Sequence, residues 1–199
     1  MKISAEFVTS AAGTEGFPRD RLGEVAFVGR SNVGKSSLIN ALVGRTLART
    51  SAAPGKTRLA NFYRVQRGAA PALYLVDLPG YGYARGGDAA ARDFNRLADE
   101  YFARSAEGKA IGVLLLVDSR HPGLDSDLDA WSWLKDLGCP SGVIGTKVDK
   151  LTRAERARHT RALESSFERP VPLISAATGE GLEELWKLIV RLTKPTAAS

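Results

Sequence analysis

The 199-residue chain has one cysteine, so no internal disulfide can form; Cys139 opens an apolar run and reads as a small buried side chain. No apolar stretch approaches the roughly 20 residues needed to cross a bilayer. The opening Met1-Lys2-Ile3-Ser4-Ala5-Glu6-Phe7 lacks the long apolar core of a secretory leader, and lipidation motifs are absent. These absences exclude a disulfide-stapled scaffold and a membrane span, and the expectation is a cytoplasmic protein. Internal repeats are missing too. Acidic residues are in deficit: 22 against 28 lysines and arginines, a net charge of +6. The basic residues are scattered, with no lysine-rich tract, so they fit a solvated surface as well as one that faces RNA.

What is present is a composition of 44% hydrophobic and 25% charged residues, in a length that suits one domain. Strand-like apolar runs alternate with helical patterns, the signature of an α/β fold with a six-stranded, mostly parallel sheet and helices on both faces. The expected strands are 24–28, 60–66, 72–76, 110–118, 141–146 and 171–174. The expected helices are 35–43, 89–105, 126–137, 153–166 and 181–193, the last with Leu182, Leu185, Trp186 and Ile189 on one face. Stretches 44–58 and 78–88 read as long loops, and long loops in a compact domain often carry function. Residues 1–22 read as an extension, 23–194 as the domain and 195–199 as a tail.

The strand at 24–28 runs straight into Gly29-Arg30-Ser31-Asn32-Val33-Gly34-Lys35-Ser36, and a helical segment follows at once. That order is the context a phosphate-binding loop requires. Its glycines let backbone N–H groups turn inward around a β-phosphate, and the helix N-terminus adds a positive dipole end. Lys35 supplies charge to the β- and γ-phosphates, and the Ser36 hydroxyl is placed to ligate Mg²⁺.

Phosphates do not distinguish ATP from GTP, so the base must be read elsewhere. Thr146-Lys147-Val148-Asp149 closes the expected fifth strand. The Asp149 carboxylate can accept from guanine N1–H and N2–H₂, whereas adenine would present an acceptor to it and be rejected. The stem of Lys147 can cover the base. Ser175-Ala176-Ala177 follows the last expected strand, where small residues let backbone N–H groups approach guanine O6.

Asp77-Leu78-Pro79-Gly80 ends the expected third strand. Asp77 can hold a Mg²⁺-bound water, and the Gly80 N–H can touch the γ-phosphate. The counterpart is a loop threonine that completes the metal shell and senses the γ-phosphate. Of Thr46, Thr50 and Thr57, we choose Thr57, because Pro54-Gly55-Lys56-Thr57 lies just before the second expected strand; Gly55, Lys56, Thr57, Arg58 and Leu59 then line the nucleotide. Lys35, Thr57 and Gly80 are the expected catalytic groups, acting by position and charge. His121 and His159 lie outside every motif.

Together these elements resemble the EngB family (also called YihA or YsxC), small bacterial GTPases associated with ribosome assembly. The resemblance rests on Ala5-Glu6-Phe7-Val8-Thr9-Ser10, the run from Glu24 through Leu42, Thr50-Ser51-Ala52-Ala53-Pro54-Gly55-Lys56-Thr57, Asp77-Leu78-Pro79-Gly80-Tyr81-Gly82-Tyr83-Ala84 and Asp118-Ser119-Arg120-His121-Pro122. It implies a Ras-like P-loop GTPase fold, Mg²⁺-dependent binding of GTP and GDP, and a monomer working with ribosomal RNA and proteins of the large subunit. It also implies a role in maturation of that subunit, and an indirect link to cell division and septation.

In Ras-type enzymes a glutamine after Asp-x-x-Gly orients the attacking water. Tyr81 stands there, which predicts slow intrinsic hydrolysis and acceleration by a partner or a cation. Asn32 resembles the asparagine that positions K⁺ in potassium-stimulated GTPases; alternatively it caps backbone. Tyr81 and Tyr83 read as exposed, partner-facing aromatics, with loop anchors as the alternative. Arg85 is either a finger in cis or a solvated side chain. Ala130, Trp133, Leu134 and Leu137 form a helical stripe that predicts Trp133 in the core and Trp131 to one side. Arg45, Arg49, Lys56 and Arg58 could meet ribosomal RNA from the first loop.

Overall fold

The structure, a computed structural model, describes residues 2–48, 59–81 and 87–193. Within them lie strands β1 (Ile3–Ala11), β2 (Glu24–Gly29), β3 (Ala60–Arg67), β4 (Leu73–Asp77), β5 (Ile111–Asp118) and β6 (Ser141–Thr146). The helices are α1 (Lys35–Val43), α2 (Gly87–Ala106), α3 (Asp125–Asp136), α4 (Arg153–Phe167) and α5 (Leu182–Leu192).

The strands form one mixed sheet in the order β1-β3-β4-β2-β5-β6. β2 pairs parallel with β4 and β5, and β5 with β6, while β3 runs antiparallel to both β1 and β4. Alternation along the central strands explains the layers. On β2 and β5, Ala26, Val28, Val113, Leu115 and Val117 face a core shared with Leu97, Tyr101 and Phe102 of α2, Trp131 and Leu134 of α3, and Leu163 and Phe167 of α4. The intervening Val25, Phe27, Leu114 and Leu116 face a second core with Leu38, Ile39 and Leu42 of α1 and Leu185, Trp186 and Ile189 of α5. Helices therefore cover both faces, as expected. No helix among the described residues is long and apolar enough to cross a membrane.

Two of the six strands differ from expectation. β1 lies in the stretch read as an extension, yet it is paired along its length with β3. It escaped notice because an edge strand exposes both faces: Phe7 is 50% exposed and Val8 42%. Glu6 pairs with Arg64, and Phe7 packs on the Tyr63 ring. The expected strand at 171–174 reduces to an isolated bridge between Gly145 and Leu173. Pro170 and Pro172 carry no N–H, so the segment makes only two ladder bonds, from Gly145 N to Pro172 O and from Ile174 N to Gly145 O.

The tryptophans of α3 exchange roles. Trp131 is buried at 6%, edge-on to Phe167 and under the Arg169 guanidinium. Trp133 is half-buried against Phe94 and Phe102 of α2. A helix wedged between two others buries a wider arc than a single stripe, which is why both indoles find aromatic neighbours. At the far end of β2, fully buried Glu24 receives Arg104 at 2.7 Å and Lys109 at 3.0 Å. That ion cluster fastens the end of α2 to the sheet; removing one partner of such a buried group costs about 3–5 kcal/mol.

Candidate functional site

The functional motifs converge where β2, β4, β5 and β6 end. Gly29 closes β2, and the chain turns through a loop into α1, whose first residue is Lys35. The turn needs left-handed backbone at Asn32 (φ 62°) and Gly34 (φ 110°). Lys35 curls back inside it: Nζ donates to Gly29 O at 2.9 Å and to Arg30 O at 3.2 Å. Burial lowers its pKa, and the nearby Asp77 charge works against that.

Ser36 stands on the side facing β4. Its hydroxyl donates to Asp77 Oδ2 at 2.6 Å. Asp77 is buried, and burial raises its pKa against the pull of Lys35 and Ser36. Asp77 Oδ1 and Ser31 Oγ are both buried without a hydrogen-bond partner. Leu78 is buried, and Gly80 lies so near the phosphate loop that a methyl group on it would stand 2.8 Å from Ser31 N. Pro79 spans the short link between them.

Two polar ties bring the third motif to the first. The Thr146 hydroxyl donates to Val33 O at 2.8 Å, and Lys147 Nζ donates to Asn32 O at 2.7 Å. Lys147 itself has φ 62°, so both partners in this contact hold left-handed backbone. Val148 is buried below them. Asp149 Oδ1 accepts from the Ser175 hydroxyl at 2.7 Å, which is the main reason its pKa lies below the usual carboxylate value. Ser175 Oγ also accepts from Ala177 N at 3.2 Å. Ala176 N has no hydrogen bond among the described residues and remains a donor to the site.

Gly55, Lys56, Thr57 and Arg58 lie outside the described residues, as do Arg49, Thr50, Tyr83 and Arg85. Leu59 is described and exposed. Tyr81 is not the exposed aromatic expected: it is half-buried, edge-on to Phe94, and its hydroxyl donates to Asp127 Oδ1 at 2.8 Å. The Asn32 side chain makes no hydrogen bond among the described residues, so it caps none of their backbone groups. His159 Nδ1 meets Ser119 O at 2.8 Å, a structural contact between α4 and the loop after β5.

The nucleotide motifs missed two carboxylates. Asp118, at the end of β5, holds Lys147 Nζ at 2.9 Å and the Arg120 guanidinium at 2.7 Å, and so aims the lysine stem. Its place one strand from Thr146 in the parallel pair β5–β6 is the signal that could have found it. Asp127 hides among the acidic residues in the first turn of α3, where a helix dipole would explain them.

A family model described as a 50S ribosome-binding GTPase matches residues 24–147. The probable GTP-binding protein EngB of Pelotomaculum thermopropionicum is 45% identical over 197 residues, covering 96% of each chain. The EngB of Solibacter usitatus is 45% identical over 188 residues, covering 94% of this chain and 95% of that one. The chain belongs to the EngB family of GTP-binding proteins. A solved structure of a probable EngB superposes with a TM-score of 0.63 at 26% identity, covering 86% of this chain and 98% of that one. Aquifex aeolicus Era Y63A bound to GDP and AlF₄⁻ gives 0.74 at 25% identity, covering 89% of this chain; the chain spans 58% of Era. EngB membership and the P-loop GTPase fold make this a GTPase that binds GTP and GDP.

Asp118 also gives a pH dependence. Burial pushes its pKa up, but the hydrogen bonds from Arg120 and Lys147 outweigh burial and hold it well below the ordinary 3.8. A depressed folded-state pKa stabilises fully above the unfolded value and loses its effect as pH falls from there through the folded one. Asp118→Asn should therefore be less stable than the parent at pH 6, and the gap should shrink between about pH 4 and pH 2. Urea unfolding across that range checks this; a gap constant with pH would refute it.

Proposed function

We propose that this chain is a GTP-driven switch in assembly of the large ribosomal subunit, with an indirect part in cell division and septation. The observation that carries the reading is the match of residues 24–147 to a 50S ribosome-binding GTPase model, with 45% identity to EngB proteins over nearly the whole chain. The cytoplasm, where ribosomes are assembled, is its expected location.

In this reading Gly29 to Ser36 wraps the β-phosphate with backbone N–H groups, while Lys35 exchanges two carbonyl partners for β- and γ-phosphate oxygens. Asp149, preset by Ser175 and Lys150, accepts from guanine, and Ala176 N donates to O6. Lys147, held by Asp118, covers the base, and Thr146 ties the base side to the phosphate side.

Mg²⁺ fits the residues present. Ser36 Oγ and the unpartnered Asp77 Oδ1 supply oxygen donors without a cluster of carboxylates, as suits a cation that takes most ligands from phosphate and water. Ser36 and Thr57 would ligate it, and Asp77 would hold one of its waters. When bound, it neutralises charge on the β- and γ-oxygens. Gly80, pressed against Ser31, donates its N–H to the γ-phosphate and loses that contact on hydrolysis, so the segment beyond it responds to the nucleotide.

Intrinsic turnover is slow because Tyr81 stands where a glutamine would orient the attacking water. The exposed amide of Asn32 is free to ligate K⁺ as an activator. Arg45, exposed and without an ion-pair partner among the described residues, is available to ribosomal RNA.

Three measurements test these assignments. The protein should pellet with large ribosomal subunits in a GTP analogue and be released in GDP; failure to bind in either state defeats the ribosomal reading and favours a switch acting on another protein. Asp149→Asn should shift preference from GTP towards XTP, and an unchanged preference removes Asp149 from the base site. GTP turnover should be faster in KCl than in NaCl at matched ionic strength; equal rates dispose of the K⁺ role.

A further inference from the structure

One buried polar cluster is centred on a residue outside the nucleotide motifs. Asp127, in the first turn of α3, is 1% exposed. Its Oδ1 accepts twice, from Arg30 Nε at 3.1 Å and from the Tyr81 hydroxyl at 2.8 Å, while Oδ2 has no partner. Burial raises the phenol pKa of Tyr81, with the Asp127 charge adding to it, so the hydroxyl stays a donor at neutral pH.

The two donors come from opposite walls of the site. Arg30 belongs to the phosphate loop, and its own carbonyl receives Lys35 Nζ at 3.2 Å. Tyr81 directly follows Gly80, which abuts Ser31. A parallel backbone bridge joins Arg30 to Tyr81, and the Tyr81 ring is braced on Phe94 of α2, centroids 6.4 Å apart. One carboxylate oxygen thus fastens together the residue whose carbonyl holds the lysine and the residue after the γ-phosphate donor.

We propose that Asp127 is a positioning residue for GTP hydrolysis, fixing Gly80 against the phosphate loop through Arg30 and Tyr81 without touching the nucleotide. The inference rests on the assignment of the Gly80 N–H to the γ-phosphate. Reaction geometry is sensitive to displacements of an ångström, so loosening this clamp slows the chemical step. Tyr81→Phe leaves Arg30 on Asp127 and alters none of the groups assigned to GDP, so in that variant GDP affinity is spared.

The test measures single-turnover and steady-state GTP hydrolysis, GDP affinity and thermal midpoint for five variants. Tyr81→Phe keeps the ring on Phe94 and removes one donor; its kcat should fall about tenfold, the loss expected for one hydrogen bond to a charged acceptor, with GDP affinity unchanged. Asp127→Ala should fall at least as far, and Asp127→Asn, which keeps a neutral acceptor, should lie between it and the parent. The double variant Tyr81→Phe with Asp127→Ala should be no slower than Asp127→Ala alone, since both remove one link. A Tyr81→Phe rate equal to or above the parent overturns the proposal, as does a GDP affinity that falls in step with the rate. Gly80→Ala separates the two layers. If it is slow while Tyr81→Phe is not, only the Asp127 role fails; if Gly80→Ala is itself fully active, the γ-phosphate assignment fails with it.

Discussion

A lysine ammonium taken out of water governs this molecule. Lys35 is 8% exposed, and two backbone carbonyls are its hydrogen-bond partners. Burying a cation in this way is unfavourable unless an anion joins it. The loop around it needs two left-handed residues, and Asp77 across the gap keeps one oxygen unpartnered. A ligand that brings negative oxygens relieves the cost at Lys35, while the free oxygen of Asp77 calls for a donor or a cation beside it. The two hydrophobic cores supply the stability that lets a strained, under-satisfied loop persist between β2 and α1.

The parallel pairing of β2 with β4 and β5 is what makes the loop useful. Parallel strands end together, so Gly29, Asp77 and Asp118 arrive at one rim, and β6 adds Thr146. The rim is then stitched by side chains reaching across the chain: Thr146 to Val33, Lys147 to Asn32, Ser36 to Asp77 and Asp127 to both Arg30 and Tyr81. The residues proposed for the base and those proposed for the phosphates therefore form one hydrogen-bonded unit.

Much of this was legible in the sequence because it is local. The bounds of α1 and β6 follow from a glycine-flanked helix and a short apolar strand, and both agree with expectation. The phosphate loop declares itself by the order strand, loop, helix. Harder to read were features set by distant neighbours. β1 gives no alternating pattern because it takes its register from β3, far along the chain. The segment at 171–174 had strand-like side chains but prolines where ladder donors were needed. Trp131, Tyr81 and Asp127 depend on how α3 packs between α2 and α4, which no local period encodes.

The irregularities at the two margins of the sheet share a consequence. An open sheet offers unpaired backbone to any passing strand, including one from another copy of the same chain. On one margin, β1 carries a bulge between Phe7 and Thr9, with charged Glu6 beside it, which breaks the regular spacing an incoming strand would have to match. On the other, the stretch from Pro170 to Ile174 lies along β6 and satisfies Gly145, yet its prolines present too few donors to seed another row. Among the described residues the sheet is six strands wide, with margins poorly suited to accept a seventh.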